Sequence, residues 1–237
     1  MAANSRSWDT EHLPTGAQKA HAVQEMFDAI APRYDFVNRV MTFRLDVRWR
    51  RRTVRELQLP PDSLVLDLAS GTGDFCRELM KSGHRPLSFD FSYGMLAAGQ
   101  SGAPRVQADA LSLPLANAVV DGVTCGFALR NFVDLAGFFV ELSRVVRPGG
   151  RVALLDVSTP PNPIVRAGNK VYFGKVVPLI GALFSDAPAY RYLPRSVSYL
   201  PHPTELVRQL ERSGFHAVTH SQLSGGLTQL LVGTRRP

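Results

Sequence analysis

The run Val65-Leu66-Asp67-Leu68-Ala69-Ser70-Gly71-Thr72-Gly73-Asp74 constrains the fold more than any other stretch. Its apolar half reads as a buried strand, its two glycines as a tight turn, and Asp74 as the opening of a helix. Some way on, Pro86-Leu87-Ser88-Phe89-Asp90 reads as a second strand ending in an acid. Strand, glycine turn, helix, strand and acid, in that order, form the layout of a nucleotide site in a doubly wound α/β sheet. The acid there accepts the ribose hydroxyls.

The helix start narrows the choice of nucleotide. The third glycine of a dinucleotide fingerprint would fall at Cys76, and the helix opens on the carboxylate of Asp74. An acid at a helix N-terminus repels the pyrophosphate that would otherwise sit there. It suits a ligand with a cationic end and no phosphate, such as S-adenosylmethionine (SAM). The plain alternative is a structural glycine turn with Asp74 as an ordinary helix-start acid.

Alternating elements continue along the chain. Strands are expected at 64–68, 87–91, 105–107, 122–127 and 152–157, and helices at 74–81, around Met95-Leu96, and from Leu135 to Val146. Arg147-Pro148-Gly149-Gly150 should stop the last of these helices. Two final strands, 215–223 and 228–233, meet near Gly225-Gly226 as an antiparallel pair. Before the first strand, Val23, Met26, Phe27 and Ile30 share one helical face, a second helical stretch runs from Tyr34 to Met41, and Asp46 should cap a basic helix at 47–57. Arg48, Arg50, Arg51, Arg52 and Arg55 crowd that helix. They read as a solvated face or as a contact for lipid headgroups or RNA phosphates. Residues 1–17 read as a disordered tail and 18–237 as one domain, with N-terminal helices at 18–60. Proline and aromatic residues break the alternation over 159–201, which reads as a helical insert lying over the strand ends.

Several segments converge on those strand ends. Gly71 and Gly73 let the backbone approach a ligand closely. Asp67 ends the first strand, near where an amino-acid ammonium would need a carboxylate. Asp90 is the ribose acid. Asp109-Ala110 follows the third strand, where an acid can accept from an adenine amine and a backbone N–H can donate to a ring nitrogen.

The chain resembles the UbiE/MenG family of ubiquinone and menaquinone methyltransferases, and most closely its actinobacterial menaquinone members. The likeness is carried by Tyr34-Asp35-Phe36-Val37-Asn38, Val65 to Asp74, Asp90-Phe91-Ser92-Tyr93-Gly94-Met95-Leu96, Phe127-Ala128-Leu129-Arg130-Asn131, Arg147-Pro148-Gly149-Gly150 and Ala189-Tyr190-Arg191-Tyr192-Leu193-Pro194-Arg195-Ser196. The resemblance implies a Rossmann-like class I fold: a seven-stranded, mostly parallel sheet with an antiparallel last pair and a helical lid at 159–201. It implies SAM contacts at Thr72, Asp90, Asp109 and Ala110, and ring C-methylation of a prenylated quinol, such as demethylmenaquinol to menaquinol. In that chemistry Arg130 would stabilise a developing phenolate and Asn131 would orient the ring. The plain reading of Arg130 is an ion pair to a nearby acid. Tyr172, Tyr190 and Tyr192 would meet the substrate or pack the lid. His202 is the nearest general-base candidate, or simply a helix cap.

The chain also departs from the family pattern. A family serine is replaced by Gly126, a glycine by Ala128, and no histidine follows Gly225-Gly226. If Gly126 merely leaves a cofactor group to water, Gly126→Ser should keep or tighten SAM binding. The departures keep open a C- or O-methyltransferase acting on another aromatic or natural-product substrate, or a non-enzymatic SAM-binding module. A net charge of +7 favours an anionic partner. Cys76 and Cys125 form no CxxC pair, so neither a disulfide framework nor a metal site is indicated. An RNA methyltransferase is disfavoured, because Cys125 lacks a preceding proline, and no nucleic-acid partner is expected. The expected setting is the cytoplasm, with peripheral contact at the inner face of the membrane; a homo-oligomer is compatible with all of this.

Overall fold

The computed structural model describes residues 16–177, 179 and 196–237. Seven strands form one sheet: β1 (Leu64–Leu68), β2 (Arg85–Asp90), β3 (Arg105–Gln107), β4 (Val120–Gly126), β5 (Val146–Val157), β6 (Phe215–Leu223) and β7 (Thr228–Arg235). Their spatial order is β3-β2-β1-β4-β5-β7-β6. All neighbours run parallel except β7, which is antiparallel to both β5 and β6. The order reverses between β1 and β4, and such a switch point opens a crevice at the strand C-termini.

The central strands alternate between two buried faces. Leu66, Leu68, Val152, Leu154 and Leu231 face one apolar cluster with Phe138, Phe139 and Leu142 of α6 (Leu135–Val145) and Leu206 and Leu210 of α8 (Pro203–Arg212). Val65, Ala153, Leu155, Leu230 and Val232 face the other, against Trp49, Val54 and Leu57 of α3 (Leu45–Leu57) and Phe75 and Leu79 of α4 (Asp74–Lys81). A period of two with both faces covered explains the near-continuous apolar runs. A third cluster lies apart. It joins α1 (Gly16–Ile30), α2 (Tyr34–Met41), Met95 of α5 (Tyr93–Ala98) and Val177. Beyond β5 follow α7 (Pro163–Val171) and a π-helical turn, Tyr172–Val176.

Three expectations are corrected. Arg147-Pro148-Gly149-Gly150 does not stand outside the strand, because β5 begins at Val146. Val120 pairs with Val146 and Gly122 with Arg151, so the four residues loop out as an irregularity within the pairing. Asp46 does not cap α3. The N-cap is Arg44, and Asp46 sits buried in the first turn, accepting from Thr42 at 2.7 Å and pairing with Arg50. The tail assigned to residues 1–17 yields to α1 at Gly16, and its first fifteen residues lie outside the described ones.

Gly122 tests the packing of α3's exit against β4. A Cβ there would lie 2.6 Å from Leu59 Cδ1 and 2.8 Å from the Arg151 carbonyl oxygen. Gly122→Ala should therefore cost about 1–3 kcal/mol in urea melts. Gly168→Ala, in α7 with open space around it, should be neutral or gain up to about 1 kcal/mol.

Candidate functional site

The turn after β1 is held by the end of β2. Asp90 accepts from the Gly71 N–H at 2.7 Å and from the Ser92 N–H at 2.8 Å. One carboxylate thus ties the glycine turn to the next loop, and burial pushes its pKa up to about 6. Gly71 and Gly73 both adopt positive φ, +57° and +85°. A Cβ on Gly73 would also meet the Ser101 side chain at 2.7 Å.

A crevice opens over this turn. Its walls include Ser70, Gly71, Thr72, Asp74, Asp90, Asp109, Ala110, Gly126 and Asn131. Phe27, Phe89, Phe91, Phe127, Phe132 and Met95 supply apolar surface, and Tyr34 and Arg50 also reach it. Polar groups and aromatic rings both line it, which suits a polar nucleoside beside a lipophilic ring. The Thr72 hydroxyl donates to Asp35, and Asp109 accepts from the Leu111 N–H at 2.9 Å.

Other expected site residues lie elsewhere. Asp67 is fully buried under the turn, accepting from the Thr124 hydroxyl at 2.9 Å and the Cys76 thiol at 3.4 Å. It does not line the crevice, and burial pushes its pKa up to about 7. Gly73 shapes the turn from behind. Arg130 is buried beside the crevice rather than in its wall. Its guanidinium pairs with Asp156 and donates to the Phe127 carbonyl at 2.7 Å and to Ser196 at 3.0 Å. That is the ion pair the sequence carried as the plain reading. Tyr172 donates its hydroxyl to the Met41 carbonyl at 2.8 Å and packs against Phe43 and Phe173. Tyr190 and Tyr192 lie outside the described residues. His202 caps α8, its ring nitrogen accepting from the Thr204 N–H.

A buried charge network was not foreseen. Arg50 of the basic helix is not a solvated residue: it pairs with Asp46 and, at 3.4 Å, with Asp74. Its guanidinium lies 5.6 Å from the Phe127 ring centre and 5.9 Å from that of Phe75. Burial opposes its charge, but Asp74 and Asp46 outweigh that and push its pKa up. Asp74 also pairs with Arg77 and, at 3.0 Å, with Arg39. Burial acts to raise its pKa, yet Arg50, Arg77 and Arg39 hold the carboxyl below its ordinary range. The signal was present in the helical period: Asp46, Arg50, Thr53, Val54 and Leu57 occupy one face of α3, and all are buried.

Gly126 is also explained. A Cβ there would overlap the ring of Phe75, itself buried on α4. The space of the family serine is filled by an aromatic side chain. The expectation that Gly126→Ser would be benign is therefore corrected.

Three outcomes follow. Gly126→Ser should cost about 1–3 kcal/mol of stability and weaken SAM binding, and Phe75→Leu should restore part of both in a double-mutant cycle read by melting and calorimetry. Asp90→Ala should weaken SAM binding roughly tenfold or more, since it removes charged hydrogen bonds in a buried site. The Asp67 carboxyl, near 3.9 when unfolded, binds its proton in the folded state up to about 7. Its contribution to stability therefore falls as the pH rises between those values. In urea melts, Asp67→Asn should shrink the loss of stability between about pH 5 and about pH 8 by at least about 1 kcal/mol.

Comparison with known proteins places the chain. The ubiE/COQ5 methyltransferase family matches residues 15–235. A demethylmenaquinone methyltransferase from Mycolicibacterium vanbaalenii is 42% identical over 217 residues, covering 91% of this chain and 95% of that protein. The ubiquinone/menaquinone biosynthesis C-methyltransferase UbiE of Syntrophotalea carbinolica is 40% identical over 219 residues, covering 89% and 92%. Among solved structures, a SAM-dependent methyltransferase from Thermotoga maritima shares the fold with a TM-score of 0.64 at 16% identity, over 90% of this chain and 99% of that one. A Haemonchus contortus phosphoethanolamine N-methyltransferase, solved with S-adenosylhomocysteine, gives 0.61 at 11% identity, over 79% and 52%. These matches establish that the chain belongs to the ubiE/COQ5 family of SAM-dependent methyltransferases.

Proposed function

We propose that the protein methylates a ring carbon of demethylmenaquinol, taking the methyl group from SAM. The relatives at 40–42% identity that bear the name demethylmenaquinone methyltransferase support the acceptor. The observation that carries the reading is the crevice itself, lined both by Asp90 and Asp109 and by the aromatic rings of Phe27, Phe91 and Phe132. SAM lies over the glycine turn, with its ribose on Asp90 and its adenine against Asp109-Ala110. The quinol ring then packs against the aromatic rings. Once a ring hydroxyl is deprotonated, the adjacent carbon attacks the methyl in line. The carbon–sulfur bond breaks, S-adenosylhomocysteine leaves, and the ring carbon loses its proton to restore aromaticity. The protein's contribution is alignment and an electrostatic field around the phenolate.

Two cations flank that reaction. Arg50 reaches the crevice wall, and its charge is retained because two carboxylates hold it there. Arg130 acts one step removed: by gripping the Phe127 carbonyl and Asp156 it sets the 129–131 turn that carries Asn131 to the crevice. Residues 178 and 180–195 of the lid expected over 159–201 lie outside the described residues; the protein works in the cytoplasm with peripheral contact to the membrane that holds the quinol.

The test is incubation with SAM and a chemically reduced demethylmenaquinone, followed by mass spectrometry. Gain of one methyl on a ring carbon is expected. Methylation on oxygen, or only of other aromatic acceptors, would replace this acceptor with the alternative that the changes at Gly126 and Ala128 suggest. Within the same assay, Asn131→Ala should lower kcat at least tenfold with little change in SAM affinity or melting temperature. Arg130→Ala should lose turnover together with about 3–5 kcal/mol of stability, because Asp156 is left buried and unpaired.

A further inference from the structure

The helix that follows β5 has no buried residue at all. Ile164 is 81% and Val171 57% exposed, and seven positions apart they fall on the same stripe of α7, with Gly168 between them. Arg166 and Lys170 occupy the opposite side. A nine-residue helix is marginal in water and gains stability by burying an apolar face.

A second element displays an apolar side chain beside it. Between α2 and α3, Phe43 and Arg44 both adopt left-handed backbone, with φ of +51° and +61°. Two consecutive non-glycine residues in that region store strain. The turn they make leaves the Phe43 ring 76% exposed, with its centre 6.0 Å from that of Tyr172, the residue next to Val171. Phe43 and the C-terminal end of α7 therefore share one patch.

The charge around this patch identifies its occupant. Residues 163–177 carry Arg166, Lys170 and Lys175 and no acid, and residues 39–45 carry Arg39 and Arg44 and no acid. A second copy meeting the patch through a two-fold axis would set these cations against themselves. An anionic surface complements them. An apolar stripe on one side and basic residues on the other are what a helix lying in a bilayer interface presents.

We propose that Phe43, Ile164 and Val171, with Arg44 beside Phe43 and Arg166 and Lys170 on the polar side of α7, form the segment by which this protein docks on an anionic lipid bilayer. The proposal rests on the peripheral membrane contact put forward above and gives it a location.

The full-length protein is sedimented with phosphatidylglycerol-containing vesicles and with neutral phosphatidylcholine vesicles. Wild type should bind the anionic vesicles at least tenfold more tightly, and added salt should weaken that binding. Phe43→Asn combined with Ile164→Gln and Val171→Gln should reduce binding at least tenfold, as should Arg166→Glu with Lys170→Glu. Asn tolerates left-handed backbone and Gln is a good helix former, so neither variant set should lower the melting temperature or the SAM affinity. Wild-type binding that both variant sets retain would overturn this face and leave the peripheral contact standing. Failure of wild type to bind either vesicle would overturn the peripheral contact itself. Self-association abolished by the apolar variant, without vesicle binding, would assign the patch to a second copy instead.

Discussion

Everything at the crevice depends on burying one arginine. Arg50 carries a full positive charge into the interior, a transfer that costs several kcal/mol for an isolated ion. It is tolerated because Asp46 comes from its own helix, Asp74 from the start of α4, and the ring faces of Phe75 and Phe127 close the rest. The consequence is positional. Asp74 begins the helix that follows the SAM turn, so the charge pair fixes α3 to that turn. Through Asp74 and Asp35 the same network takes in Arg39 and Arg77, and through Asp35 the Thr72 hydroxyl. The N-terminal helices are thereby bound to the cofactor turn by charge as well as by their apolar cluster.

The same network changes the meaning of Asp74. On sequence grounds its carboxylate excludes a pyrophosphate and favours a cationic ligand. In the structure the carboxylate is spoken for by three arginines, so the local charge is close to balanced. Exclusion of a dinucleotide then rests as much on the packed residues at the turn. Cys76 is fully buried against Asp67, in the position where a third glycine would let a helix approach the strand.

Much of this was legible beforehand. The bounds of β1, α4, β3 and β6 match those expected, and for β1 and α4 they follow from apolar residues set off by glycine, proline or acid. The crevice positions of Asp90, Asp109 and Ala110 follow from topology alone, since a residue just past a parallel strand must lie at the switch point. Side-chain direction was not legible. Asp67 and Asp90 both end strands, but Asp67 turns inward to Thr124 and Cys76 while Asp90 stays at the surface of the turn. Arg50 reads as one more cation in a basic run, because only one of its two acids, Asp46, lies on its own helix and the other, Asp74, comes from α4. Arg130 reads as a crevice cation until Asp156, a residue of a different strand, claims it.

Gly126 and Phe75 show how such a site can change without losing its architecture. A serine at 126 and a phenylalanine at 75 cannot both occupy the space above β4, since a Cβ at 126 already overlaps the ring. A hydroxyl donor has in effect been exchanged for aromatic surface that also touches Arg50. The exchange removes a polar contact from the crevice wall and places a π face beside Arg50, which lines it. A ring carrying a developing negative charge would gain from Arg50 only as far as its carboxylate partners leave the charge unquenched. Asp46 and Asp74 therefore set the field in the crevice, and a change at either should alter turnover without the substrate touching it.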